Sequence, residues 1–220
     1  MGVTISMNSF RYIAVEGVIG AGKTTLARLL SEHQQARLVL EEFEDNPFLP
    51  HFYQDRVRYA FQTQLSFLAT RFHQQGRLSN PDLFHPLTIA DYMFEKDRIF
   101  ASINLSADEL GLYDRIFKIM QVQAIKPDLV VYLQCGLERL LFNIAQRGRS
   151  YENEMDPQYL KLLIESYNQF FLRYDQSPLI IINANDMDFV KNQEHFHYIN
   201  DHIFRNPIGS SPVYLTQSPV

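Results

Sequence analysis

One cysteine, Cys135, is all the chain contains, so no disulfide can form within it and a reducing compartment such as the cytosol is expected. Long apolar runs are missing too: none approaches the roughly 20 residues of a membrane-spanning helix, so no membrane partner is expected. There is no run of Lys and Arg, and the formal net charge is -5. That balance argues against a nucleic-acid partner, whose phosphates call for a basic footprint. The opening MGVTISMNSF has no basic segment followed by an apolar core, so no secretory leader is expected. Met1-Gly2 with Ser6 meets the short N-myristoylation pattern, read here as a chance match at a frayed terminus. What is present is 220 residues, 46% of them hydrophobic, enough to bury one full core. A single domain over 1–220 is therefore expected.

Short apolar runs alternate with helical patterns. RYIAVEG (11–17), RLVLEE, HPLTIAD (85–91), DLVVYLQ and PLIIINA read as five buried strands. A helix is expected from Lys23 to His33. Another is expected from Tyr53 onward, with Val57, Phe61, Leu65, Leu68 and Phe72 on its inner face. Leu110, Tyr113, Phe117, Met120 and Ala124 form a third stripe, stopped before Pro127. Such a stripe serves either core packing or a partner copy. LERLLFNIAQ and PQYLKLLIESYNQFFLRY add two more helices, the latter with Pro157 in its first turn. Strands alternating with helices predict an α/β fold: a five-stranded parallel sheet flanked by helices. Residues 205–220 carry turn-formers and little periodicity, so an irregular tail is expected, with Tyr214 and Leu215 packed on the body.

Directly after the first strand comes GVIGAGKTT, which fits G-x-x-x-x-G-K-[ST]. Gly17, Gly20 and Gly22 let backbone N–H groups close around phosphates, with Val18, Ile19 and Ala21 between them. Lys23 supplies a cation for the β- and γ-phosphates of ATP, Thr24 a hydroxyl for Mg²⁺, and the whole stretch from Gly17 to Thr25 is expected to bind ATP. The strand–loop–helix context is what distinguishes this motif from a Gly-rich turn. A second metal contact is expected from an acid closing an apolar strand, and Asp91 closes LTIA. A plain helix cap is the lesser alternative for Asp91, and the two roles can coexist.

Four carboxylates follow the second strand: Glu41, Glu42, Glu44 and Asp45. Asn46-Pro47 reads as an N-cap with Pro at the first helical position, so Glu44 and Asp45 fall on the solvated approach to a helix. Glu41 and Glu42 end the strand and must face opposite ways. One of them can face the phosphates as a general base; spacing does not decide which. So many acids would repel a phosphorylated acceptor and suit a neutral alcohol.

The combination resembles the deoxynucleoside kinases. The resemblance is carried by YIAVEGVIGAGKTTLARLL, EEFEDNPFLPHFYQD, YAFQTQLSFLATRF, TIADYMFEKDRIFA and IAQRGRSYE, spread over residues 12 to 152. FYQD, FQ and RGR are more specific than the phosphate loop, and TIADY is most similar to bacterial deoxyguanosine-kinase-type members. The resemblance implies a P-loop nucleoside/nucleotide kinase fold with a helical lid at about 147–156. It implies ATP and Mg²⁺ as cofactors, and transfer to the 5′-hydroxyl of a deoxynucleoside, with a purine favoured by TIADY and Asp97. It selects Glu41 as the base. Tyr53 and Glu152 would bind the 3′-hydroxyl, Phe61 would stack on the base, and Gln62 would bond the base edge. Arg71 and Asp97 would lie near the base and Phe100 on the pocket wall. Arg147 and Arg149 would neutralise the transferred phosphoryl group. A homodimer, and feedback by a deoxynucleoside triphosphate, are implied in the same way.

Two departures stand out. Where many members have acid-Arg-Ser, this chain has Asp91-Tyr92-Met93, so another cation, or none, must serve the 5′-oxygen. A lid arginine of animal members, four residues before Arg147, is Asn143. Two other functions compete. Thymidylate kinase would want an arginine beside the strand-end acid, where Phe43 and Glu44 stand. A non-catalytic nucleotide-binding module would not need Glu41, Gln62 and RGR together.

Overall fold

The structure, a computed structural model, describes residues 10–78, 82, 84–149, 152, 155–209 and 211–216, without the Arg77 side chain. The N-terminal myristoylation pattern and lid residues 150, 151, 153 and 154 lie outside that set. Six strands form one sheet: β1 (Tyr12–Gly17), β2 (Arg37–Val39), β3 (Thr88–Ala90), β4 (Leu129–Gln134), β5 (Leu179–Asn183) and β6 (Val213–Leu215). Their order is β2-β3-β1-β4-β5-β6, and every pairing is parallel. The flanking helices are α1 (Lys23–Gln34), α2 (Leu49–Gln54), α3 (Arg56–Leu78), α4 (Lys96–Asn104), α5 (Ala107–Gln121), α6 (Leu137–Arg147), α7 (Pro157–Leu172) and α8 (Gln193–Phe204).

The central strand β1 is buried along its whole length, as a strand covered on both faces must be. Its entry is pinned by Asp128, whose Oδ2 accepts the N–H groups of Arg11 at 2.7 Å and Tyr12 at 2.9 Å. β1 therefore delivers Gly17 to the carboxyl edge of the sheet in fixed register with β3 (Ala14 beside Ala90) and β4 (Ala14 beside Val130). Ligands of such sheets gather at that edge.

The structure departs from the sequence expectations at several elements. The chain end is not wholly irregular: Val213–Leu215 adds a sixth strand to β5, with Leu215 buried and Tyr214 exposed. Its three residues are too short for a period-2 signal. Helices α4 and α8 were not expected, and α8 is capped by Asn192, whose side chain accepts the Glu194 N–H at 2.9 Å. Asn46 is not a helix N-cap. It is buried, accepts the Phe48 N–H at 3.1 Å and donates to Thr63 O at 3.1 Å, bracing the approach to α2 against α3.

On α3 the expected inner face is turned by roughly a quarter of a revolution, judged at 3.6 residues per turn. Val57 is exposed, while Ala60, Thr63, Gln64, Leu68, Arg71, Gln74 and Gln75 are buried. On α5 the Leu110–Ala124 stripe faces the core, with Tyr113 and Phe117 fully enclosed. Leu112, Ile119 and Val122 form a separate outward row. The stripe thus serves core packing in this chain. No helix among the described residues is long and apolar enough to cross a membrane.

Candidate active site

The loop after β1 takes its shape from two glycines in the left-handed region. Gly20 has φ 85°, and a Cβ there would stand 2.9 Å from Ile144 Cγ1 of α6. Gly22 has φ 95°, and its Cβ would stand 3.2 Å from the Phe189 ring. Both positions therefore combine an unfavourable φ for an L side chain with a crowded site. Gly17 ends β1, Val18 and Ala21 are buried, and Ala21 N–H closes the turn on Val18 O at 3.0 Å. Asn143 donates to Gly20 O at 2.8 Å and so braces the loop.

Lys23 opens α1 and donates to Gly17 O at 2.8 Å and Val18 O at 3.1 Å. Burial, aided by the nearby Lys96 ammonium, pushes Lys23 down to about 8. Next to it the Thr24 hydroxyl donates to Asp91 Oδ2, while Asp91 Oδ1 accepts the Glu41 N–H at 2.7 Å. Asp91 is buried and held by two neutral donors. A lone buried carboxylate beside a hydroxyl at the phosphate loop fits Mg²⁺, which takes one or two protein oxygens and completes its shell with phosphates and water. Such a site needs no cluster of acids, and none of three or more His, Cys, Asp or Glu occurs among the described residues.

Of the four acids after β2, Glu44 and Asp45 are exposed, as expected. Glu41 lines the inner cavity, and Glu42 does not. Arg71 Nε donates to Glu41 Oε1 at 2.9 Å, Arg71 Nη2 joins the same oxygen, and Lys96 Nζ donates to Oε2 at 2.6 Å. Burial alone would raise the Glu41 pKa, but Arg71 and Lys96 overcome it and hold the carboxyl well below its usual range. Arg71 also donates through Nη1 to Asp97 Oδ1. Asp97 is fully buried; burial lifts it to about 6 against Arg71, whose charge it divides with Glu41.

Two cavities meet at the phosphate loop. The inner one is lined by Ile19, Tyr53, Gln64, Phe67, Arg71, Phe100 and Glu152, among others. The outer one runs along Thr25, Asn143, Asp188 and Phe189. Lys23, Thr24, Arg147 and Arg149 line both. In the described state Glu152 holds both arginines: Arg147 Nε donates to Oε2 at 3.1 Å, with Nη2 joining it, and Arg149 Nη1 lies 3.4 Å from Oε1. The Arg149 guanidinium sits 4.0 Å over the Phe43 ring.

Most of the expected residues thus converge: Lys23, Thr24, Glu41, Tyr53, Arg71, Asp91, Phe100, Arg147, Arg149 and Glu152 all line the inner cavity. Asp97 sits behind Arg71 and reaches the cavity only through it. Phe61 and Gln62 are misplaced by the sequence reading. Gln62 is exposed, Phe61 packs on the core, and neither lines the cavity. The cavity is lined instead by Gln64, buried with its Oε1 unpartnered among the described residues, and Phe67, whose ring carries the Arg71 guanidinium at 4.8 Å. Lys96 was missed as well. The signal for Gln64 was available in its spacing of seven residues, two helical turns, from Arg71.

Residues 13–208 match the family model described as deoxynucleoside kinase. Among curated proteins, a deoxyguanosine kinase of Bacillus subtilis (strain 168) is 34% identical over 90% of this chain and 98% of its own length. A deoxyadenosine kinase of Lactobacillus acidophilus is 31% identical over 82% of this chain and 88% of its own. A solved deoxyadenosine kinase from M. mycoides with bound dATP superimposes with a TM-score of 0.77, covering 87% of this chain and 98% of that one. At 23% identity it is similar in fold.

Proposed function

The chain belongs to the deoxynucleoside kinase family, and from that membership we propose that it transfers the γ-phosphoryl group of ATP to the 5′-hydroxyl of a purine deoxynucleoside. Deoxyguanosine or deoxyadenosine is the acceptor named for its relatives. The observation that carries the reading is the meeting of two cavities at Lys23, Thr24, Arg147 and Arg149, with Glu41 on the inner side. The outer cavity takes the donor and the inner one the acceptor. Glu41 accepts the proton of the 5′-hydroxyl as that oxygen forms its bond to the γ-phosphorus. The bond from the γ-phosphorus to the β,γ-bridging oxygen breaks, and ADP leaves with the electron pair. Lys23 leaves the loop carbonyls for the phosphates, and Arg147 and Arg149 exchange Glu152 for the transferring group. Tyr53 and Glu152 bind the 3′-hydroxyl, while Gln64, Phe67 and Phe100 enclose the base. Thr24 and Asp91 would hold Mg²⁺, which when bound neutralises charge on the β- and γ-phosphates.

Release of ADP with Mg-ATP, measured across the four deoxynucleosides, ribonucleosides and dTMP, tests the substrate class. Deoxyguanosine or deoxyadenosine is expected to give the highest kcat/KM, and turnover of dTMP alone would contradict the proposal. Cytoplasmic nucleotide salvage, a homodimer and feedback by a deoxynucleoside triphosphate belong to the same proposal. Sedimentation checks the dimer, which a single-chain mass would remove, and inhibition of ADP release by added dGTP or dATP checks the feedback, which an unchanged rate would remove.

A pH effect follows from Lys23. Its pKa near 8 is lowered, so the ammonium is intact below that value and lost above it. In the free enzyme kcat/KM for ATP is expected to fall about tenfold per unit of pH above about 8. Lys23→Arg should abolish that limb, because a guanidinium keeps its proton there. A flat wild-type profile to pH 9.5 would contradict the assignment.

A further inference from the structure

Resting on the kinase reading, we propose that Lys96 is a catalytic residue, its ammonium group bridging Glu41 to the charge that develops between the 5′-oxygen and the transferring phosphoryl group. Nothing in the sequence marks Lys96: it sits at the start of α4 as an ordinary helical lysine. In the structure it is 4% exposed and lines the inner cavity. Burying an ammonium is costly, and such groups are kept where they are paired and used.

Its neighbours narrow the role. The cations lining the inner cavity, among the described residues, are Lys23, Arg71, Lys96, Arg147 and Arg149. Lys23 belongs to the loop that faces the donor, and Arg147 and Arg149 are held by Glu152. Arg71 is spread between Glu41 and Asp97, which draws it toward the base end of the cavity. Among the described residues Lys96 bonds only the far oxygen of Glu41, Oε2, at 2.6 Å, which uses one of its three N–H groups. It also lies near enough to Lys23 for the two ammonium groups to repel. Two cations on one cavity wall, the half-buried Lys23 from the donor loop and the buried Lys96 from beside the proposed base, define a place that an anion would relieve. That anion is the phosphoryl group in transit. Tyr92 cannot do this work: it is fully buried, carries no charge, and is not among the residues lining the cavity.

Lys96→Met, nearly isosteric and uncharged, is expected to lower kcat about a hundredfold, the lower end for one transition-state donor because Lys23 and the arginines remain. KM for ATP and for the deoxynucleoside should stay within about threefold. Lys96→Arg should recover part of the loss. The decisive comparison adds Lys96→Met to Glu41→Gln. A lysine that only neutralises Glu41 would cost nothing further there, whereas one that touches the phosphoryl group should cost about tenfold more. Thermal melts confirm folding, and Lys96→Gln takes the place of Lys96→Met should the latter not fold. No further loss in the Glu41→Gln background, or a loss confined to KM, would overturn the role of Lys96. A wild-type chain with no deoxynucleoside-dependent ADP release would instead overturn the kinase reading on which it rests.

Discussion

Glu41→Gln is expected to lower kcat by about 10²–10⁴, the range for a general base, while Glu42→Gln stays within about threefold of wild type. The two neighbours differ because the chain turns one carboxylate into the inner cavity and leaves the other outside it. Glu42 lines a surface recess with Arg28, Glu44 and Asp45. Glu41 is strongly acidic here, since Arg71 and Lys96 together outweigh its burial. A weakly basic carboxylate is still a competent acceptor in a loose phosphoryl transfer. The 5′-hydroxyl becomes acidic only as its bond to phosphorus forms, so the proton moves late. Glu41 therefore stays ionised at every working pH, and kcat should show no acid limb from it. Glutamine keeps the length and one acceptor oxygen but cannot take a proton. A steady-state comparison of the two variants, with thermal melts as the folding control, decides the assignment. Damage confined to Glu42→Gln would reverse it.

Gln64→Ala is expected to lower kcat/KM for the deoxynucleoside about a hundredfold, with Gln62→Ala close to wild type. Gln64 is buried on the inner face of α3, and its Oε1 has no partner among the described residues. An amide in that state lacks a donor that a purine edge supplies: the exocyclic amino group of adenine, or the ring N–H of guanine. The effect should fall on the acceptor, leaving KM for ATP within about twofold, because Gln64 lines the inner cavity and not the outer one. A larger loss in Gln62→Ala than in Gln64→Ala would restore the register that the sequence suggested. Both proteins are assayed with deoxyguanosine and deoxyadenosine.

That register error shows what the sequence could and could not convey. Where burial is apolar, the pattern is readable: β1, β4, β5, α1, α6 and α7 lie where runs and stripes place them. The phosphate loop was readable for a different reason, since its glycines and lysine answer to one ligand geometry. On α3 the rule inverts. The face that turns inward carries Thr63, Gln64, Arg71, Gln74 and Gln75, because it borders a polar cavity, so apolar periodicity points to the wrong side. Lys96 was hidden likewise: its partner Glu41 is 55 residues away, a contact that only the β2–β3 pairing creates. Glu41, Glu42, Glu44 and Asp45 were divided correctly by chain geometry into a strand-end pair and an exposed pair, and the cavity then separates Glu41 from Glu42. The helix cap expected at Asn46 failed because α2 starts only at Leu49, so Asn46 Oδ1 closes a turn on the Phe48 N–H ahead of the helix while its amide braces Thr63 O.

The central claim is that one phosphoryl group passes from ATP to a neutral 5′-hydroxyl. Mass spectrometry and ³¹P NMR of the product from γ-¹⁸O-labelled ATP and deoxyguanosine or deoxyadenosine test it directly. The expected product is the deoxynucleoside 5′-monophosphate carrying the labelled phosphoryl oxygens, formed one for one with ADP. Labelled inorganic phosphate released at the same rate without any deoxynucleoside, or label appearing only in dTDP when dTMP is supplied, would contradict it.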